Sequence, residues 1–255
     1  MKNYIAILSI VLNVFLISAT LLYTGKRGYL GRVLVMANAN YLEIPTDTLS
    51  SQSWWQDEVK YQVAVTQNTQ IKNCFFGDSI TSMLGNTLGN HSFNFAIGGM
   101  SAISQLEQLK LLTAGRIRCE RAIVALGTND AIYRTMDDQF IKNMQQIIII
   151  VKNDMGAKQV VLIPAFYSTV EASRNVNVAA PIPRVDRFNH LLGQVAVAQR
   201  LSVEGSILQP LFEGKALKAD LTSDGVHLNL EGKKIYREGL LKIVANLEIK
   251  KYSRL

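Results

Sequence analysis

From Ile71 onward, short apolar blocks alternate with longer stretches whose apolar residues recur every three or four positions. The pattern predicts strands at 71–76, 92–96, 121–126 and 159–163, the last stopped by Pro164. Between them it predicts helices at 79–88, 100–113 and 135–153. Ile103, Leu106 and Leu109 form one face of the second; Phe140, Ile141, Met144, Ile147, Ile148 and Val151 form a stripe on the third. Gly156 is a C-cap signal for that third helix. A helix at 183–200, a short strand around 202–205 and a terminal helix at 229–247, with Asn229 as its cap, complete the series. Such alternation specifies an α/β fold with a parallel sheet covered on both faces and right-handed crossovers. In open sheets of this kind ligands bind beyond the carboxyl ends of the strands. Residues immediately after strands are therefore the place to look for chemistry.

What precedes the alternation is different. Residues 4–23 contain no charged side chain, with Lys2 before the run and Lys26 and Arg27 after it. At about 1.5 Å per residue such a helix spans roughly 30 Å, the thickness of a bilayer's hydrocarbon core. A cleaved signal peptide has a shorter apolar region and a small-x-small site close behind it. Here Ser18-Ala19-Thr20 falls inside the run and Ala37-Asn38-Ala39 lies well beyond it. Residues 1–24 thus read as an uncleaved, single-pass anchor, with secretion after cleavage as the alternative, and the domain that follows is expected to be extracytoplasmic. Residues 25–69 read as a connector with a leading helix within 46–69, and 70–250 as the main domain. The net charge of +7 is dispersed, with no basic stripe interleaved with aromatics, which argues against nucleic acid and suits an anionic membrane surface.

Of the two cysteines, Cys74 lies three residues before Gly77 and Cys119 eight before Gly127. If both glycines end at one sheet edge, the two are offset by roughly 16 Å along the strands, too far for a disulfide. Two free thiols are expected. No Cys/His spacing resembles a zinc site, and no metal or organic cofactor is expected.

Three predicted strands are followed by Gly77-Asp78-Ser79, by Asn94 to Gly99, and by Gly127-Thr128-Asn129-Asp130; Asp224-Gly225-Val226-His227 lies near the C-terminus. Together they offer a hydroxyl, an unhindered backbone N–H, a side-chain amide and a histidine with a nearby carboxylate. A serine nucleophile needs a base within hydrogen-bond reach. Among His91, His190 and His227, His91 falls at the wrong end of the sheet and His190 lies within a helix. Only His227 has an acidic residue three positions earlier in a Gly-containing turn. Each fragment alone reads as a turn or a helix cap; the four together supply what acyl transfer requires.

These four blocks resemble those of the SGNH hydrolases, the GDSL-type esterase/lipase superfamily. Gly77-Asp78-Ser79-Ile80-Thr81 is similar to the family's first block, Asn94 to Gly99 to its second, Gly127 to Asp130 to its third and Asp224 to Leu228 to its fifth. Met100 departs from the pattern, since many members carry an acidic residue there. The resemblance implies a three-layer α/β/α sandwich with a mainly parallel, flavodoxin-like sheet. It implies a serine esterase working through an acyl-enzyme, with Ser79, Asp224 and His227 catalytic. The Ser79 N–H, Gly99 N–H and Asn129 amide would form the oxyanion hole. The substrate would be an acyl ester, of glycan O-acetyl or lysophospholipid type, met at the cell envelope through residues 4–23. An O-acyltransferase acting on envelope glycans and a non-catalytic membrane-tethered glycan- or lipid-binding protein are the alternatives. The polar loop 166–181, carrying Tyr167 and Arg174, is expected to border the substrate pocket.

Overall fold

Five short apolar segments pair into one sheet: β1 (Ile71–Gly77), β2 (Ser92–Asn94), β3 (Cys119–Ala125), β4 (Gln159–Ile163) and β5 (Ser202–Val203). The computed structural model describes residues 46–252. Strand order is β2-β1-β3-β4-β5 and every neighbouring pair is parallel, the flavodoxin-like order. The chain reverses its direction of winding at β1, so the switch point lies between β1 and β3.

Alternate residues of the strands face opposite layers. Cys74, Phe76, Ala122, Val124 and Leu162 pack with helices α1 (Ser53–Thr66), α3 (Ala102–Ala114), α5 (Asp137–Asn153) and α6 (Ile182–Gln199). Phe75, Ile123, Val161 and Ile163 pack with the one-turn helix α2 (Ser79–Ser82) and the C-terminal helix α7 (Leu230–Tyr252). The central strands are thus buried on both faces, which explains why they read as continuous apolar runs. Helix α5 carries the stripe expected of it, with Phe140, Met144, Ile147, Ile148 and Val151 buried.

Several sequence expectations need correction. The helix expected at 79–88 stops at Ser82, because the Asn94 amide donates to the Thr81 and Gly85 carbonyls and the chain turns there with Gly85 at φ +55°. A short helix, α4 (Thr128–Ile132), precedes α5 and is separated from it by Arg134 at φ +51°. The second strand is only three residues long, although Phe95 and Ile97 still donate backbone bonds to Phe75 and Gly77. A small hairpin, β6 (Phe212–Glu213) with β7 (Ala216–Leu217), has no counterpart in the sequence pattern. Gly77 pairs with Ala125, not Gly127, and Cys119 lies opposite Ile71. The cysteine offset is therefore three residues, roughly 10 Å, rather than 16 Å. Both thiols are free and buried, and burial pushes the Cys74 thiol up. The apolar run 4–23 lies outside the described residues. Among the described residues no helix is long and apolar enough to cross a membrane.

Helix α7 begins where the sequence indicates. Asn229 Oδ1 accepts from the Gly232 N–H at 3.0 Å, an N-cap bond. Gly232 is required by packing, because a Cβ there would stand 2.4 Å from the Leu221 carbonyl oxygen. That contact closes the loop that carries Asp224 and His227. Gly232→Ala is expected to destabilise the fold by about 1–3 kcal/mol, measured as a lower urea midpoint with unchanged m-value.

Candidate active site

Ser79 stands at the first turn after β1. Asp78, the residue before it, caps α2 by accepting from the Ile80 N–H at 3.0 Å. The cap turns the chain sharply at the sheet's edge and leaves Ser79 half-buried while Asp78 is 4% exposed. Burial pushes the Asp78 carboxyl up to about 6, against hydrogen bonds from the Ile80 N–H and the Thr128 hydroxyl. Thr128 Oγ1 also accepts from the Phe166 N–H at 3.0 Å, so one hydroxyl ties together the segments after β1, β3 and β4.

The histidine comes from the loop before α7. The turn 224–227 folds on the Asp224 carboxylate, whose Oδ1 accepts from the Val226 and His227 N–H groups at 2.9 and 2.7 Å. Gly225 sits at φ +86°, and a Cβ there would meet Ala172 Cβ at 2.7 Å, so the turn needs glycine on both conformational and steric grounds. The Thr169 N–H donates to the Gly225 carbonyl at 2.8 Å, fastening the turn to the 166–181 loop. His227 Nδ1 lies 2.7 Å from Asp224 Oδ2 and His227 Nε2 lies 3.0 Å from Ser79 Oγ. A carboxylate can only accept, so Nδ1 carries the proton and Nε2 is left to accept from the serine hydroxyl. Partial desolvation pulls the Asp224 carboxyl up, but the bonds from the His227 ring and from two backbone N–H groups outweigh it and hold it at about 2.

The segment after β2 comes to the same place. A Cβ on Gly98 would stand 3.8 Å from Ser79 Cβ, so the 98–99 loop abuts the serine. Asn129, at the start of α4, donates through Nδ2 to the Met100 carbonyl at 3.0 Å, which fixes its amide beside that loop. Its neighbour Asp130 is fully buried and accepts from the Ala102 N–H; burial pushes its carboxyl up to about 7, with the Asp47 charge adding to the effect. Ser79, Asp224 and His227 are thus joined in one hydrogen-bonded chain, with Gly99 and Asn129 on segments beside it. A hydroxyl aligned on an unprotonated imidazole nitrogen, itself held by a carboxylate, can pass its proton to the ring as the oxygen attacks an acyl carbon.

The expected pocket residues separate. Tyr167 donates from its hydroxyl to Asp186 at 2.9 Å and lines two cavities. One is a small, partly open cavity of about 10 Å³ bordered by Ile80, Thr128, Phe166, Ser168, Ala180 and Val226, among others. The second, about 210 Å³, runs between Phe166, Asn189, Leu208 and Phe212. Arg174 is exposed at the end of the 3-10 turn Ala172–Arg174 and lines neither. His190 is exposed on α6 and His91 lies at the opposite end of β1, where its carbonyl accepts from the Lys72 N–H. Thr128, given no role of its own within its block, and Asp47, which motif reading passed over, are structural parts of the site. Among the described residues no group of three or more His, Cys, Asp or Glu side chains could hold a metal ion.

The buried carboxyls have a measurable signature. A carboxyl raised from its ordinary value of 3.8 to about 6 (Asp78) or 7 (Asp130) holds its proton more tightly in the folded chain. The stability it contributes is present at low pH and is lost as pH rises from about 4 to 7. Asp224 acts oppositely: its contribution is present above pH 4 and is lost as pH falls towards 2. Asp130→Asn is therefore expected to lessen the decline in unfolding free energy between pH 4.5 and 7.5 by on the order of 2 kcal/mol. Urea titrations of both proteins at the two pH values check this.

Comparison with known proteins agrees with this architecture. Residues 75–235 match the family described as GDSL-like Lipase/Acylhydrolase. A search of curated protein sequences returns no match. Among solved structures, a GDSL-like lipase from Bacteroides thetaiotaomicron superposes with a TM-score of 0.60 at 19% identity, covering 75% of this chain and 97% of that one. A lipase/acylhydrolase from Enterococcus faecalis gives 0.56 at 18% identity, covering 69% and 95%. Axe2, an acetyl-xylooligosaccharide esterase from Geobacillus, gives 0.51 at 14% identity, covering 68% and 93%. At these identities the likeness is one of fold.

Proposed function

The chain belongs to the GDSL-like lipase/acylhydrolase family, and from that premise we propose that it is a serine esterase that cleaves carboxylic esters through an acyl-enzyme. The observation that carries the reading is the chain from Asp224 through His227 to Ser79, with separations of 2.7 and 3.0 Å. Ser79 Oγ attacks the ester carbonyl carbon as His227 Nε2 takes its proton. The imidazolium that forms is stabilised by Asp224, which the low pKa keeps ionised. The Ser79 N–H, the Gly99 N–H and the Asn129 amide donate to the oxyanion, each such donor being worth about 3–4 kcal/mol in the transition state. Collapse breaks the bond to the alcohol oxygen, which leaves with the proton from His227. Water, deprotonated by the same nitrogen, then attacks the acyl-enzyme and releases the acid. Ser79→Ala is expected to abolish labelling by a fluorophosphonate probe and to lower kcat by at least about 10⁴-fold. Asp224→Asn should cost about 10²–10⁴-fold. An intact, folded protein that neither labels nor turns over aryl esters contradicts the reading.

The acyl group we propose is short. Ile80, Thr128 and Val226 are the sequence neighbours of Ser79, Asn129 and His227, and all three line the cavity of about 10 Å³. That volume holds one water-sized group, which suits the methyl of an acetyl ester. Axe2, which shares the fold, is itself an acetyl-xylooligosaccharide esterase. Across aryl esters of increasing chain length, kcat/KM should be highest for acetate and fall by about tenfold or more at butyrate. Val226→Ala should narrow that gap. A long-chain preference contradicts the acetyl assignment, and acyl product appearing on an added alcohol would favour transfer over hydrolysis. We further propose that residues 4–23 anchor the enzyme at a membrane, with the catalytic domain outside the cytoplasm. The uncharged apolar run supports this, and release of the protein from membranes by alkaline carbonate would contradict it.

A further inference from the structure

The loop from Gly98 to Ser101 has to present the Gly99 N–H to a developing negative charge, yet it contains two adjacent glycines, and Gly99 sits at φ +80°. Such a segment is not rigid by its own chemistry. It is held from one side by residues after β3: Tyr133 donates its hydroxyl to the Gly99 carbonyl at 3.1 Å, and Asn129 donates to the Met100 carbonyl at 3.0 Å. Trp55 Nε1 donates to Met100 Sδ at 3.2 Å from helix α1.

A further hold comes from the connector that precedes α1. Asp47 Oδ2 accepts from the Ser101 hydroxyl and from the Ser104 N–H at 3.1 Å, while Oδ1 accepts from the Leu49 N–H at 2.9 Å. Ser101 is the N-cap of α3, and its Oγ accepts from the Ile103 N–H at 3.0 Å. The Asp47 carboxylate thus takes the hydroxyl proton of the capping residue, one of the free N–H groups of the helix and the connector's own backbone. It also places a negative charge at the positive end of a helix of 13 residues. The side chain of Leu49, whose backbone N–H the same carboxylate holds, lies 3.7 Å from where a Gly99 Cβ would be and fills the space on that side of the loop.

We propose that Asp47 is a positioning residue for the oxyanion hole: a side chain of the connector sets the 98–101 loop, and through it the Gly99 N–H, against Ser79. The proposal rests on the esterase reading above. Without the carboxylate, the Ser101 hydroxyl loses its acceptor, the Ser104 N–H keeps only its capping-box bond to the Ser101 side chain, and the Leu49 N–H loses its tether. The loop is then held by the Asn129–Tyr133 segment and Trp55 but open on the connector side. Because the Gly99 donor matters most in the transition state, the loss appears in kcat and not in ground-state binding.

The test compares full-length wild type, Asp47→Ala, Asp47→Asn and Val59→Ala for aryl acetate hydrolysis, for the rate of fluorophosphonate labelling, and for Tm. Val59 is a buried residue of α1 that belongs to the core, not to the loop. Asp47→Ala is expected to lower kcat and the labelling rate together by about 10–100-fold, with KM little changed. Asp47→Asn, which keeps one acceptor oxygen, should fall between it and wild type. Val59→Ala should lose Tm and keep kcat. If Asp47→Ala does not fold, Asp47→Asn and Leu49→Ala are read by the same criterion. Unchanged kcat in the folded Asp47 variants, or a loss that Val59→Ala reproduces, overturns the proposal while leaving the esterase reading intact. Wild type that is inactive and unlabelled overturns both.

Discussion

One hydrogen bond, 3.0 Å between Ser79 Oγ and His227 Nε2, joins residues 148 positions apart in the chain. Much of the surrounding structure serves to make that distance short. On the serine side, the β1 strand is buried on both faces and ends in a capped turn. On the histidine side, the turn 224–227 is folded around its own carboxylate, fastened to the 166–181 loop through Thr169, and followed by a helix whose start is fixed by Asn229 and by the close approach at Gly232. The Phe166–Tyr236 and Phe166–Phe212 ring contacts brace the same side of the sheet. The Tyr236 hydroxyl meets Thr81 at 2.9 Å, tying α7 directly to the helix that begins at Ser79.

Three aspartates near the serine show how environment divides one residue type among different tasks. Asp224 is about half exposed and accepts three hydrogen bonds, so it stays ionised and can steady a positive imidazole. Asp78 and Asp130 are buried, and burial makes their charged forms costly. Their work is architectural: each accepts backbone N–H groups at the start of a helix facing the site. The contrast follows from desolvation set against hydrogen bonding, and it separates the acid of the hydrogen-bonded chain from the acids that shape the loops around it.

Much of this was legible in the sequence because the deciding signals are local. Strand β4 and the apolar stripe of α5 follow from periodicity and the breakers beside them. The motifs after β1 and β3 stand where an open parallel sheet binds ligands. What could not be read is what depends on long-range pairing. The early end of α2 is imposed by Asn94, a side chain on another strand. The register that sets Gly77 against Ala125 decides the cysteine offset, and no periodicity reports register. The β6–β7 hairpin is too short to show an alternation. Asp47 looks like an ordinary polar residue of a connector, since its partners Ser101 and Ser104 lie 54 and 57 positions away. Arg174 lies within the 166–181 loop, but its 3-10 turn leaves it exposed and outside the lining of those two cavities.

In the proposed mechanism Ser79 carries the acyl group between the two halves of the reaction. The most direct measurement is to mix the enzyme with an excess of an aryl acetate, quench it during the first turnover, and map the modified peptide by mass spectrometry. The account predicts a burst of phenol matched by one acetyl group per chain on Ser79, absent from Ser79→Ala and longer-lived in His227→Ala than in wild type if any forms there. An acetyl group on another residue, or steady turnover by Ser79→Ala, would contradict it.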